Sequence, residues 1–209
     1  MTRRTLVFDI GGVVVHWQPL QLMQQVLPQQ AHDESSARAV ATAVFQSLAP
    51  GSDWAEFDRG HIGPVALAQR IAERTGYAVP GLLALIAAIP GHILPMPASV
   101  ALLERVRAAG HRLTLLSNMP RPYADHLEAT QPCFGWFEAR VFSGRVGLMK
   151  PERAMFEHAQ VVLALDLEQA LFIDDHPANI EAARSFGWQA LHFENAAQCE
   201  AALRRDGWL

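Results

Sequence analysis

Short apolar runs alternate with segments of helical periodicity over most of this sequence. The apolar runs are TLVFD near the start of the chain and RLTLLSN, ARVFSG, ALFIDD and QALHF after Pro97. The helical segments between them begin at or next to proline, and some stop at glycine, as in PASVALLERVRAAG and PANIEAARSFG. Strands that alternate with single helices pair through right-handed crossovers into a mostly parallel sheet. The pattern therefore predicts an α/β fold, with a Rossmann-like sheet sandwiched by helices.

Residues 16–95 break this alternation. They contain four segments of helical pattern, LQLMQQVL, SARAVATAVF, PVALAQRIAERTG and GLLALIAAI, and no convincing strand. One interpretation is a run of ordinary covering helices. A crossover needs only one helix, however, so an all-helical insert after the first strand fits better. The predicted organisation is a Rossmann-like core of residues 1–15 and 96–209 that carries a helical cap domain of residues 16–95.

Composition excludes several classes of partner. The chain has 209 residues and a net charge of −4, and its basic residues form no stripe, so no nucleic-acid partner is expected. The apolar run LLALIAAI is too short to span a bilayer, and the first run is broken at Asp9, which makes a poor signal peptide. Cys133 and Cys199 lack metal-site spacing. These features predict a cytoplasmic protein without a membrane partner, and they leave its oligomeric state open.

Chemically active side chains stand where four of these elements begin or end. A carboxylate ends the first predicted strand, and a hydroxyl and an amide end the second. A lysine opens the KPERAMF segment, and a pair of acids ends the FIDD strand. The set is Asp9, Ser117, Asn118, Lys150, Asp174 and Asp175. The carboxyl ends of parallel strands share one edge of a sheet, and ligands bind in the crevice there. We therefore expect these residues to converge.

This set of residue types indicates phosphoryl chemistry. Three carboxylates at one edge repel one another unless a cation neutralises them, and Mg²⁺ is the hard ion that takes few carboxylates together with phosphate oxygens. Lys150 would balance the remaining charge and hold Asp9 ionised. Ser117 and the backbone N–H groups after Gly11, including that of Gly12, would cradle a phosphoryl group. The implied reaction is attack by Asp9 on phosphorus, followed by hydrolysis of the aspartyl-phosphate.

Four motifs carry a resemblance to a known family. FDIGG, LLSN, GLMKPE and FIDDHPANIEAAR resemble the successive motifs of the haloacid dehalogenase (HAD) superfamily, and the helical insert resembles its C1 cap. Within the superfamily, FDRGHIG, SGRVGLMKP and DDHPANIEAA are most similar to bacterial sugar-phosphate phosphatases of the glucose-1-phosphate type. The resemblance implies a Mg²⁺-dependent phosphatase acting on a small phosphorylated metabolite, with a sugar phosphate as the expected class.

The resemblance also implies a set of metal ligands. Asp9 would be both the nucleophile and a ligand of Mg²⁺. The backbone carbonyl of Gly11 and the carboxylate of Asp175 would complete the protein ligands, and Asp174 would reach the ion directly or through water.

The same resemblance implies the residues that contact the transferring group. Ser117 and Asn118 would bind the phosphoryl oxygens. Lys150 would stabilise their charge and act with the nucleophile in catalysis.

One position departs from the family pattern. Many phosphatases of the superfamily carry a second aspartate where this sequence has Gly11, and general acid–base catalysis is worth roughly 10²–10⁴ in rate. A good leaving group needs less protonation, and His16 or His61 of the predicted cap are candidate proton donors. Together with Trp17 and Arg59, these histidines are also candidates for substrate specificity.

Other functions stay open from the residues alone. Gly11 is compatible with a catalytically weak or inactive binding module of the same superfamily. A haloacid dehalogenase-type hydrolase would use Asp9 to attack carbon without a metal, although such enzymes typically replace the acidic pair Asp174–Asp175. A phospho-accepting receiver domain carries its acidic pair early and its acceptor aspartate later, which is the reverse of the order here.

Overall fold

A parallel sheet lies at the centre of the computed structural model, which describes residues 3–46, 49 and 51–209. Its strands are β1 (Thr5–Phe8), β2 (Arg112–Ser117), β3 (Ala139–Phe142), β4 (Ala170–Asp174) and β5 (Gln189–His192). They form one sheet in the order β3-β2-β1-β4-β5, and each neighbouring pair is parallel. The predicted α/β fold with a Rossmann-like sheet is confirmed, and the five strands coincide with the five apolar runs.

Helices cover both faces of this sheet. In chain order, the α-helices of the described residues are α1 (Pro19–Val26), α2 (Glu34–Phe45), α3 (Asp53–Asp58), α4 (Pro64–Thr75), α5 (Val79–His92), α6 (Pro97–Ala108), α7 (Arg121–Thr130), α8 (Ser143–Val146), α9 (Arg153–Val162), α10 (Pro177–Ser185) and α11 (Ala196–Arg205). Within the part of the chain that the structure describes, no helix combines the length and apolar character needed to cross a membrane.

Alternation along the strands divides the core between the two faces. Leu6 and Phe8 of β1 join one apolar cluster, which continues into α1–α7 and α11. Val7 points the other way and packs with Phe156 of α9 and Ile180 of α10. Successive side chains of a strand point to opposite faces, so a fully apolar strand buried on both sides is what a three-layer fold requires.

The register of the central strand aligns the strand ends. β1 lies between β2 and β4, with Phe8 opposite both Leu115 and Ile173. The N–H of the next residue, Asp9, donates to the carbonyl of Ile173 at 2.8 Å. Asp9 therefore leaves the sheet beside the end of β4, at the edge where ligands bind in open parallel sheets.

Helices α1–α5, which we call the helical segment (Pro19–His92), lie between β1 and α6. The chain enters and leaves it side by side, because Val15 forms an antiparallel bridge with Pro95 and the His16 N–H donates to the Leu94 carbonyl at 2.9 Å. The four helices predicted for this region are present, and α3 is additional. It begins after Ser52, whose hydroxyl accepts the Ala55 N–H at 3.1 Å, and its six residues are too few to show helical periodicity.

A chain of aromatic rings connects the helical segment to α7. Trp17, Phe45, Trp54, Phe57 and Tyr123 contact one another in sequence, edge to face, with ring centroids 4.5–5.7 Å apart. Edge-to-face geometry is favoured by the charge distribution of aromatic rings. The Tyr123 hydroxyl also donates to the Ile86 carbonyl at 2.9 Å. The helical segment therefore has an extensive packed contact with the rest of the structure.

The last residue of α3, Asp58, is a buried acid. Burial raises the pKa of its carboxyl from 3.8 to about 8, because the charged form loses its hydration. At neutral pH the folded protein therefore keeps this side chain protonated, whereas the unfolded chain ionises it.

We expect Asp58 to make stability fall as the pH rises. Between pH 3.8 and about 8 the folded state holds one more proton at this site than the unfolded state, so the free energy of unfolding decreases by up to about 1.4 kcal/mol per pH unit. Asp58→Asn removes this decrease. Urea unfolding of both proteins from pH 5 to 8 checks it, with the exposed Glu157→Gln as the control variant. Parallel stability curves for the wild type and Asp58→Asn would contradict the expectation.

Candidate active site

The side chain of Lys150 lies between two carboxylates at the carboxyl edge of the sheet. Its Nζ is 2.6 Å from Asp174 Oδ2 and 2.9 Å from Asp9 Oδ1, and only 1% of the lysine side chain is exposed. Burial lowers the pKa of Lys150, but the two negative charges outweigh it and hold that pKa above its usual value. The lysine is therefore a buried cation with two buried anionic partners.

Asn118 fixes the backbone of Lys150. Its side-chain Nδ2 donates to the Lys150 carbonyl and its Oδ1 accepts the Lys150 N–H, both at 2.8 Å. Ser117, the preceding residue, ends β2 and is buried. The predicted pair Ser117–Asn118 therefore does reach the same edge as Lys150, but the amide of Asn118 is engaged with the main chain of the lysine.

Three carboxylates meet beside the lysine. One oxygen each of Asp9, Asp174 and Asp175 lies within 4.8 Å of the others. The pKa of Asp9 is raised to about 6, chiefly by burial and also by the two neighbouring acids, whereas Lys150 lowers it. One ammonium among three carboxylates leaves excess negative charge, which is the environment that attracts a divalent cation.

The two members of the acidic pair differ in their surroundings. Asp174 is fully buried, and its oxygens accept hydrogen bonds from Lys150 Nζ, from the His176 N–H at 2.7 Å and from Asn179 Nδ2 at 3.0 Å. Asp175 is exposed. Asp174 is thus saturated by protein donors, whereas the carboxylate of Asp175 faces the open edge of the site.

Asn179 is missing from the predicted site. It lies in the first turn of α10, is buried, and holds both oxygens of Asp174. The sequence contains one signal for it, because a helix that starts at Pro177 turns its third residue back toward the strand that precedes it. A polar residue there within the otherwise small and apolar PANIEAA stretch could have been interpreted as a partner of the acidic pair.

The two glycines after Asp9 have different environments. Gly12 has φ +75°, and a Cβ on it would overlap the carboxylate of Asp175. The Gly12 N–H donates to the Val15 carbonyl at 2.9 Å, so it is used within the loop rather than facing the site as predicted. A Cβ on Gly11 would meet nothing within 4 Å. Glycine is therefore required at position 12, because the Asp175 carboxylate approaches the backbone closely there. At position 11, by contrast, the structure has room for a side chain.

The side chains of Arg59 and His61 bind acids other than the three carboxylates of the site. The Arg59 guanidinium makes a two-pronged ion pair with Glu152, with Nη1 2.8 Å from Oε2. His61 Nδ1 lies 3.0 Å from Glu56 Oε2. Both predicted specificity residues are thus engaged where the helical segment meets the loops that follow β3.

His16 and Trp17 stand at the entrance to the helical segment. His16 is half-buried, and its backbone pairs with Leu94. Trp17 packs its edge on Phe45 at a centroid distance of 5.4 Å and leaves 37% of its surface exposed. They follow Val15, which bridges to Gly11, so they lie within a few residues of the loop that holds Asp9.

Several curated proteins are similar to this chain, and two of them are named phosphatases. One is a sesquiterpene phosphatase from Aspergillus oryzae, which is 23% identical over 204 residues, covering 98% of this chain and 96% of that protein. The other is a plasmid-encoded phosphoglycolate phosphatase from Cupriavidus necator, which is 31% identical over 91 residues, covering 44% of this chain and 39% of that protein.

A solved structure with the same fold comes from Bacteroides thetaiotaomicron, a HAD family enzyme in complex with magnesium and inorganic phosphate. It is 18% identical, covers 91% of this chain and 94% of its own, and superposes with a TM-score of 0.71. The sequence model of the haloacid dehalogenase-like hydrolases matches residues 3–187. That match covers most of the chain and confirms the predicted superfamily, so this protein belongs to the haloacid dehalogenase-like hydrolases.

Proposed function

We propose that this hydrolase is a Mg²⁺-dependent phosphatase that acts on a small phosphorylated metabolite through an aspartyl-phosphate on Asp9. The observation that carries the proposal is the buried Lys150 ammonium between Asp9 and Asp174, beside the carboxylate of Asp175. The similarity to two named phosphatases and to an enzyme that binds magnesium and phosphate supports it.

The donor set fits Mg²⁺. All candidate ligands are oxygens, which this hard ion prefers. Asp9 Oδ1 is buried and lies 2.9 Å from Lys150 Nζ, but among the described residues no donor, Lys150 included, meets it with hydrogen-bond geometry. We assign Asp9, the Gly11 carbonyl and Asp175 as ligands, and we place Asp174 behind them because protein donors occupy its oxygens. When bound, the ion supplies positive charge to the phosphoryl oxygens and lowers the repulsion among the carboxylates.

The side chains of this protein supply the remaining steps. An oxygen of Asp9 attacks phosphorus and displaces the alcohol oxygen of the substrate, and the resulting acyl phosphate is hydrolysed by water, which regenerates the carboxylate and releases phosphate. Lys150 neutralises charge on the transferring group, and Ser117 donates its hydroxyl to a phosphoryl oxygen. Asn118 orients Lys150 through its backbone, which replaces the direct phosphoryl contact predicted for it.

We further propose that the helical segment acts as a cap of the C1 type, with residues 16–95 covering a core of residues 1–15 and 96–209. A lid that closes over the substrate excludes bulk water from the acyl phosphate. Sugar phosphates of the glucose-1-phosphate type are the proposed substrate class, because an anomeric hydroxyl is a good leaving group and needs little help from an acid at position 11.

We expect Asp9→Asn to abolish phosphatase activity, because the amide oxygen is a poor nucleophile; the loss should be at least about 10³-fold in kcat. Release of phosphate from a panel of phosphorylated metabolites and from p-nitrophenyl phosphate measures it. Glu157→Gln, which alters an exposed carboxylate, serves as the control. Wild-type rates in folded Asp9→Asn would reject the nucleophile, and a wild type inert on the whole panel would favour a binding module.

We expect removal of divalent ions to stop turnover and added Mg²⁺ to restore it. Gly12→Ala pushes on the Asp175 carboxylate, so the Mg²⁺ concentration for half-maximal activity should rise about 10-fold or more. Gly11→Ala is the matched control, since its Cβ meets open space. Activity that persists in excess chelator would point to metal-free halide chemistry instead.

We expect Gly11→Asp to raise kcat on substrates with poor leaving groups. The position has room for a side chain, and a carboxylic acid there protonates the departing oxygen; the gain should reach roughly 10²-fold. Gly11→Asn has the same size without the acidic proton and is the control. The rates are measured on an alkyl phosphate, whose leaving group needs protonation, and on p-nitrophenyl phosphate, whose leaving group does not. The gain in kcat should be confined to the alkyl ester. Equal rates for the Asp and Asn variants would contradict it.

A further inference from the structure

The helical segment contacts the stretch of chain that carries Lys150. Arg59 follows α3, and both arms of its guanidinium bind the carboxylate of Glu152, which is 93 positions away in the sequence. Glu152 is the residue before α9 and lies two positions after Lys150. A side chain of the helical segment is therefore joined by an ion pair to the short connection Lys150–Glu152.

Hydrogen bonds hold this connection at both of its ends. On one side, Asn118 holds both backbone polar groups of Lys150 at 2.8 Å. On the other side, the Glu152 N–H donates to the Met149 carbonyl at 3.0 Å, which closes a turn around the connection. Asn118 thus binds the turn at Lys150, and Arg59 binds it at Glu152. From this turn the lysine side chain extends to Asp9 and Asp174.

The Arg59–Glu152 pair differs from the surface ion pairs of this protein. Only 12% of the Arg59 side chain is exposed, whereas Arg153 and Glu157 in an ordinary helical pair are 70% and 62% exposed. The hydrogen bonds from Arg59 lower the pKa of the Glu152 carboxyl. The Glu152 side chain is 39% exposed, so water reaches the carboxylate side of the pair. Exposed pairs contribute little to stability, but the two-pronged arginine–carboxylate geometry, with the arginine buried, restricts the orientation of both side chains.

A second contact fixes the same end of α3. The Ser143 hydroxyl donates to the Asp58 carbonyl at 2.6 Å and accepts the Met119 N–H at 2.8 Å, directly after the Ser117–Asn118 pair. Gly60 approaches closely as well, since a Cβ there would lie 2.7 Å from the Gly144 carbonyl oxygen. The end of α3 is therefore docked against the start of α8, which is hydrogen-bonded in turn to the residue after Asn118.

We propose that Arg59 is a positioning residue: by holding Glu152, it sets the place of the Lys150 ammonium between Asp9 and Asp174. Docking of the helical segment is then coupled to assembly of the site, because release of Arg59 frees one end of the turn that carries the lysine. The expected loss of kcat rests on the proposed phosphatase function. The expected displacement of Lys150 rests only on the contacts described above.

The kinetic test uses Arg59→Gln, Glu152→Gln and the exchanged pair Arg59→Glu with Glu152→Arg. Misplacement of Lys150 weakens an interaction made mainly in the transition state, so each single variant should lower kcat about 10- to 100-fold and change KM far less. The exchanged pair should recover a large part of the loss. Arg74→Gln is the matched control, because Arg74 pairs with Asp53 inside the helical segment and should leave kcat unchanged.

A spectroscopic test needs no turnover, because Lys150 is the only lysine in the sequence. Protein grown with ¹⁵N,¹³C-lysine gives signals from this residue alone. Its backbone amide and ε-methylene signals should shift or broaden in Arg59→Gln and Glu152→Gln and stay in place in Arg74→Gln. Glu152 is more exposed than Arg59, so Glu152→Gln tests the pair even if the arginine variant folds poorly.

The two tests separate failure of this inference from failure of the proposed function. Unmoved lysine signals in both single variants overturn the positioning role, whatever the rates are. Wild-type kcat in both variants overturns its kinetic consequence. Shifted lysine signals in a protein whose wild type hydrolyses no phosphate ester support the positioning role and reject the phosphatase.

Discussion

The fold around the candidate site depends on one interaction, the burial of Lys150 between Asp9 and Asp174. Two carboxylates removed from water without a cation each cost several kcal/mol, so the lysine is what allows both to be held at the strand ends. The chain has sixteen arginines and a single lysine. A compact ammonium can contact two carboxylates in a closed space, whereas a planar guanidinium needs more room and a fixed fork of partners. The single lysine lies in the closed space between Asp9 and Asp174, where a compact ammonium fits better than a guanidinium.

The sheet order determines which groups this lysine can join. With β1 between β2 and β4, the residues after these three strands are neighbours, although they lie far apart in the sequence. Two asparagines then fix the orientation of these groups. Asn118 is hydrogen-bonded to the main chain of Lys150, and Asn179 donates to the carboxylate of Asp174. The strand ends bring the charged groups together, and neutral amides set their orientation.

Periodicity predicted the strands, most helices and the convergence of Asp9, Ser117, Lys150 and the acidic pair, because each depends on local pattern and on a general rule of parallel sheets. The partners of those residues were not predictable in the same way. Arg59 and Glu152 are separated by 93 positions, and nothing in either local sequence marks the other. For the same reason the sequence suggested Arg59 and His61 as substrate contacts, whereas in the structure their side chains contact Glu152 and Glu56. The short helix α3 escaped detection because six residues show no period.

In the proposed mechanism the absence of an acid at Gly11 and the attachment of Arg59 to Glu152 have related consequences. Without a carboxylic acid at position 11, neither the leaving oxygen nor the attacking water exchanges a proton with a side chain there, so the proposed reaction relies more on charge stabilisation by Lys150. Under the proposals made above, a helical segment that covers the site and also holds the turn carrying Lys150 would make the site competent only while it is covered. Charge stabilisation and water exclusion then arise together from one docking event. An enzyme built this way favours substrates whose leaving group departs readily and whose organic part fills the space under the segment, including the space that Gly11 leaves open.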